Sequence, residues 1–249
     1  MLAAALPTVE GLSKGVLARQ LEGQEFPRNP TLEQYAFRAA LARSTGDRSL
    51  GATVTDLTAE AANRLDHSPF DPVVPKGLTL FDRVEACALL IGDDSPDAVA
   101  RSMSGTLPRA KANGLGFDAT RIAESTSTDS SKYVDPVVEC FAFMGLQAFP
   151  VRGAGSLRAT TRGWSKPASR TGAFVWPVWE GWLDVDAIEC LLDEVYLLAA
   201  QSRTGWADGR CSDRLRFYGV RSLLESVPYR PTGTSDTTRG YSSRLAWTA

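Results

Sequence analysis

Arg152, Arg158, Arg162, Lys166 and Arg170 fall in one stretch of the chain that holds no acid. Trp164 lies inside it, among Gly153, Gly155 and Gly163. Guanidinium groups on a Gly- and Ser-rich loop can reach backbone phosphates, and an indole or guanidinium plane can stack on a base. These five cations and Trp164 are therefore candidate nucleic-acid ligands. The competing readings are a solvated loop without a ligand and a loop that contacts an acidic protein. A second basic set follows at Arg214, Arg216, Arg221, Arg230, Arg239 and Arg244, against Glu225 and Asp236. Leu215, Phe217 and Gly219 alternate in the manner of a strand, which would turn Arg214 and Arg216 to one side. Arg239 and Tyr241 share a side by the same rule.

Other chemistries have less to work with. His67 is the single histidine, and no GxSxG elbow accompanies it. The expected reading is a satisfied histidine at the surface or in a turn. One histidine and scattered cysteines give no metal-ligand spacing, so no metal or cofactor is expected. Acids cluster at Asp93-Asp94 and along Asp184, Asp186, Glu189, Asp193 and Glu194. Paired carboxylates could hold Mg²⁺ for a nuclease reaction, which keeps a metal-dependent nuclease as an alternative. Gly114-Leu115-Gly116 and Gly153-Ala154-Gly155 lack the strand-turn-helix context of a phosphate-binding loop. Cys87, Cys140, Cys190 and Cys211 are widely spaced, as expected of reduced, buried thiols in a cytoplasmic protein.

The elements that must position these residues are legible in part. The chain has 249 residues, 43% of them hydrophobic and 22% charged, which excludes a wholly disordered or fibrous protein. No run approaches the ~18 apolar residues that would cross a bilayer. The net charge of −2 conceals an asymmetry: residues 151–249 hold 13 Lys and Arg against 10 acids, and residues 1–150 hold 14 against 19. The acidic first half favours a third reading, a protein-interaction module that binds no nucleic acid. Arginine outnumbers lysine 22 to 5, and all six tryptophans lie after residue 160.

The first half reads as helical. Thr31-x-x-Gln34 is a capping box for a helix to about Ser44. Val54, Leu57, Ala61 and Leu65 predict a second helix behind Thr53-x-x-Asp56, and Phe81, Val84, Ala88 and Ile91 a third. Ser95-Pro96-Asp97 reads as a cap and first-turn proline. After a polar linker at 124–132, Asp135-Pro136 opens a helix through Met144. Leu146 to Val151 reads as a buried strand. Ala173 to Val178 reads as another, placed at a sheet edge by Pro177. Val185, Ile188, Leu192, Val195 and Ala199 mark an amphipathic helix. The aromatics from Phe174 to Trp182 read as core and turn packing. The fold class is α+β: a helical N-terminal half, then a small antiparallel sheet packed on helices. The division is 1–128, helical, and 129–249, α+β with the basic loop, or one continuous domain.

The run Tyr133-Val134-Asp135-Pro136 to Glu139, continued through Gly145, Phe149 and Pro150, is followed by Arg162-Gly163-Trp164 and by Phe174-Val175-Trp176-Pro177-Val178-Trp179. This pattern resembles the Csb/Csx-type proteins of type I-G (formerly I-U) CRISPR systems over roughly residues 115–200. The resemblance implies a non-enzymatic subunit of a crRNA-guided surveillance complex. Its partners would be crRNA or target DNA and other Cas proteins, with no membrane. Only Arg162 and Trp164 carry over as candidate contact residues.

Overall fold

The computed structural model describes residues 2–59, 64–68, 70, 79–112, 133–153, 159–164, 173–201, 206, 209–229 and 240–249. The fold is α+β. Helices dominate the N-terminal half, and a three-stranded antiparallel sheet stands in the C-terminal region.

Among the described residues, the α-helices of the N-terminal half are α1 (Val9–Lys14), α2 (Leu32–Thr45), α3 (Ser49–Thr53), α4 (Leu80–Ile91) and α5 (Ser95–Met103). Their starts follow capping chemistry. Thr31 accepts from the Gln34 N–H while the Gln34 side chain accepts from the Thr31 N–H, as the capping box predicts. Thr79 and Asp82 repeat the device on α4. Gly46 ends α2 in the left-handed region, and α4 stops at Gly92. The cap of α5 is Asp94, one residue ahead of Ser95, because its carboxylate accepts from the Asp97 N–H. Asp135 accepts from the Val137 and Val138 N–H groups and opens α6 (Pro136–Gly145).

Three sequence expectations are corrected. The helix expected from Val54 does not form over residues 54–59, and Leu65 lies in a strand. After a short hairpin of β1 (Gln20–Leu21) and β2 (Gln24–Glu25), Val54–Ala59 is strand β3, paired with β4 (Leu65–His67); β5 (Ala110–Lys111) pairs further on with β6 (Tyr133–Val134). The i, i+3, i+4 spacing of a few apolar residues is ambiguous over so short a window. The β-branched Val54 and Thr55 suit a strand once a partner is available. Thr53, expected to start a helix, instead ends α3 with its hydroxyl on the Leu50 carbonyl, 2.9 Å away. Leu146–Ala148 is a 3-10 turn rather than a strand, and strand β7 begins only at Val151 (Val151–Gly153), paired with β8 (Ala159–Thr161). Leu215–Gly219 is not a strand. It belongs largely to a helix, Gly209–Phe217, whose buried Cys211 and Leu215 stand one turn apart. The linker at 124–132 and Gly114-Leu115-Gly116 lie outside the described residues.

The C-terminal sheet has the order β11-β10-β9, with β9 Phe174–Trp179, β10 Val220–Tyr229 and β11 Gly240–Thr248. Pro177 does lie on an edge strand, as expected. One face is covered by α7 (Val185–Gln201) and α8 (Gly209–Phe217), around Val175, Leu191, Val195, Leu198, Cys211, Leu215, Val220, Leu223 and Trp247. The larger core runs from Leu6 to Leu192 and includes Val84, Cys87, Val137, Cys140, Phe149 and Trp164. It therefore draws on both sides of residue 128. Helix α7 contributes Leu192 to this core and Leu191, Val195 and Leu198 to the other, so it is wedged between them.

Candidate functional site

The basic stretch enters the structure through β7, β8 and the turn Arg162-Gly163-Trp164. That turn is interior. Trp164 is 1% exposed and meets Phe70 edge-to-face at 5.4 Å between ring centroids. Its backbone bridges Phe174, and the Gly163 carbonyl accepts from the Val175 N–H at 2.9 Å. Gly163 is held at φ +76, and a Cβ there would sit 2.7 Å from the Phe174 ring. The expectation of an exposed indole for base stacking is therefore corrected. Trp164 joins two parts of the core, because a large aromatic gains most by burying its whole surface.

Arg162 is buried too. Its side chain is 4% exposed and makes a two-pronged contact with Asp193: Nε to Oδ1 at 2.7 Å and Nη2 to Oδ2 at 3.0 Å. Nη1 lies 3.2 Å from Glu189 Oε2 and donates to the Ala148 carbonyl at 2.8 Å. Burial works to lower the Arg162 pKa, but the hydrogen bonds and charges of Asp193 and Glu189 outweigh it and raise the value. Glu189 also takes Arg48 at 2.8 Å, and Asp193 takes Arg152 at 3.3 Å. Burial pushes the Glu189 carboxyl up, and the two arginines pull it below its ordinary range. Three arginines and two acids thus tie helix α7 to β7, to the Arg162 turn and to the N-terminal half.

The remaining candidates diverge. Arg158, Lys166 and Arg170 lie outside the described residues. Arg214 and Arg216 do not share a strand face: two residues apart on a helix, they point about 200° apart. Arg214 pairs with Glu194 and donates to the Tyr218 hydroxyl at 3.3 Å. Arg216 lies 3.6 Å from Asp213, with its guanidinium over Trp247. Both keep about half of their side-chain surface in water. In the second basic set, Arg221 pairs with Glu180 and Arg244 with Glu225.

The acids read as a possible metal site are therefore largely occupied by arginines. Asp184 accepts from the Ala187 N–H as a helix cap. Among the described residues no group of three His, Cys, Asp or Glu side chains converges for a metal ion. His67 sits between Asn29, whose Nδ2 is 3.0 Å from Nδ1, and the Arg28 guanidinium at Nε2. The aromatic run from Phe174 to Trp179 packs as expected, with Trp176 and Trp179 5.9 Å apart. Among the described residues no helix is long and apolar enough to cross a membrane.

Trp182, the last aromatic of the stretch from Phe174 to Trp182, is the exception. It is fully exposed, at 102% of its reference area, in the turn after Gly181. Phe217 is 83% exposed at the end of α8 and contacts Tyr218 at 5.5 Å. The Glu180 N–H donates to the Gly219 carbonyl at 3.1 Å, and Trp179 pairs with Val220. Trp182 and the Phe217-Tyr218 pair thus leave the sheet at the same end. Sequence reasoning assigned Trp182 to packing, since its local pattern matches that of its buried neighbours.

None of the family models, curated proteins or solved structures compared with this chain matches it.

Proposed function

We propose that the chain is a non-catalytic subunit of a crRNA-guided type I CRISPR surveillance complex, acting in the cytoplasm in antiviral defence. Its principal contacts are with neighbouring Cas subunits. The resemblance of residues 115–200 supplies the class. The observation that carries the emphasis on protein contacts is the exposed aromatic end of the sheet. A tryptophan and a phenylalanine held in water lose the stabilisation of burial, and aromatic residues of this kind anchor protein interfaces. The nearby arginines, Arg214 and Arg221, are answered by Glu194 and Glu180, so this end is close to electroneutral. That suits a protein neighbour better than a polyanion.

The nucleic-acid role narrows. Arg162 and Trp164 serve the interior, and Arg152 belongs to the same charge cluster. Contacts to crRNA or target DNA fall to Arg158, Lys166 and Arg170, while Arg214 and Arg216 are answered on α8 by Glu194 and Asp213. Such contacts give affinity that declines steeply with salt.

The test is reconstitution with the other Cas subunits and crRNA. The paired substitution Trp182→Ser and Phe217→Ser is expected to release the chain from the assembly while its thermal midpoint stays close to that of the parent. Retention of the doubly substituted chain in the complex refutes the aromatic anchor. Charge reversal at Arg158, Lys166 and Arg170 then separates the two modes. Loss of RNA or DNA retention supports a subunit that grips nucleic acid. No affinity for nucleic acid at low salt, with assembly intact, favours the pure protein-interaction module. Mg²⁺-dependent cleavage lost on Asp186→Ala would instead establish the nuclease.

A further inference from the structure

Helix α4 carries apolar side chains on two sides. Leu80, Phe81, Val84, Cys87 and Ala88 enter the larger core, with Ile91 packed beside them. Leu89 and Leu90 turn away from it and are 63% and 46% exposed. Ala86 is exposed one turn earlier, at the i−3 position of Leu89 and the i−4 position of Leu90, so the three side chains form one patch. The charges that border this patch have one sign. Glu85 stands one turn before Leu89, and Asp93 and Asp94 follow directly after the stop at Gly92. Nearby acids are answered: Asp82 lies 3.6 Å from Arg19, and Asp97 lies 3.4 Å from Arg101. Asp94 caps α5 by accepting from the Asp97 N–H at 3.3 Å. No ion pair among the described residues engages Glu85 or Asp93. The last turn of α4 also holds no basic residue, although the carbonyl end of a helix favours a cation.

We propose that this face of α4 docks a basic amphipathic helix of a partner protein, with apolar side chains set against Leu89 and Leu90 and lysine or arginine on either side of them. Charge complementarity selects the occupant. The carboxylates of Glu85 and Asp93 and the negative end of the α4 dipole all call for cations, and all three border the exposed leucines. The backbone of α4 is engaged in its own hydrogen bonds, so an occupant gains none from it and must satisfy its own backbone; a helix does so. The small Ala86 lets the backbone of that helix approach closely. Cations about eight residues apart on the occupant, roughly 12 Å along its axis, reach both Glu85 and Asp93. A polyanion is repelled by the same acids. This surface belongs to the helical half of the chain, apart from the aromatic end of the sheet, and the inference does not depend on the CRISPR reading.

The test titrates the full chain into a fluorescently labelled, alanine-based helical peptide that carries leucines on one face and flanking lysines, and reads anisotropy. Binding is expected, weakening as salt rises, and is not expected for the same peptide with glutamates in place of the lysines. The pair Leu89→Ser and Leu90→Ser, and separately the pair Glu85→Gln and Asp93→Asn, are each expected to lower the affinity by roughly fivefold or more, with an unchanged circular dichroism spectrum. A parent that binds neither peptide, or both equally, overturns the proposal. So does an affinity that either double substitution leaves unchanged. Sedimentation equilibrium of the chain alone covers the remaining occupant: self-association that Leu89→Ser and Leu90→Ser abolish assigns the face to a second copy and overturns the basic partner.

Discussion

Arg162 and Asp193 lie 31 residues apart in sequence and meet as fork and carboxylate, with contacts of 2.7 and 3.0 Å. The arginine comes from a turn that looks, by composition, like part of a loose basic loop. The acid comes from a helix that looks, by composition, like a solvated face. Together they join α7 to the larger core.

Replacing Arg162 by alanine removes the cation between Glu189 and Asp193. Breaking a fully buried pair costs about 3–5 kcal/mol; here the acids retain some contact with water, so about 2–3 kcal/mol is expected. Chemical denaturation measures it. Arg162→Lys is expected to recover only part of the loss, because an ammonium cannot reproduce the two-pronged contact. A variant as stable as the parent would show that the cluster is dispensable.

Trp164→Ala is expected to destabilise by about 3–5 kcal/mol, the usual cost of removing a buried aromatic. Gly163→Ala is expected to cost about 1–3 kcal/mol, since the left-handed backbone and the Phe174 ring both resist a Cβ. Thermal unfolding of both variants checks this. If Trp164 instead acts as a stacking platform, its loss would reduce nucleic-acid affinity while leaving the unfolding midpoint in place.

Glu189 gives the cluster a defined pH dependence. Its folded pKa lies below the unfolded value of about 4.3 because Arg162 and Arg48 favour the carboxylate. A depressed acid binds protons more weakly in the folded state. Its contribution is therefore present above the unfolded pKa and is lost as pH falls through the folded value. Glu189→Gln is expected to lower stability at neutral pH and to flatten the loss on acidification. Unfolding curves from neutral pH down to the acid transition measure both; parallel acid limbs for parent and variant would remove Glu189 from this role.

The thiols are expected to react in two classes. Cys190 is exposed, whereas Cys87, Cys140 and Cys211 are buried. Burial first, then the neighbouring Cys87 and Glu139, push the Cys140 thiol up to about 12. A thiol reagent at mildly alkaline pH is expected to modify Cys190 quickly and the other three only on unfolding. Rapid modification of all four in the native protein would contradict this packing.

Local chemistry in the sequence determined where many elements begin and end. The Thr31–Gln34 box, the Asp135-Pro136 start, the stop at Gly92, the α7 periodicity and the edge position of Pro177 all depend on neighbouring residues. The α+β class follows from them. What only the tertiary structure decided is the fate of side chains whose partners lie far away. Whether residues 54–59 coil or extend depended on a strand at 65–67. Whether Arg162 and Trp164 face water depended on Asp193, Glu189 and Phe70. Whether Trp182 is covered depended on how the sheet end meets its surroundings. A cation and an indole have the same composition inside and outside a protein, and only the placement of their long-range partners decides between core and surface.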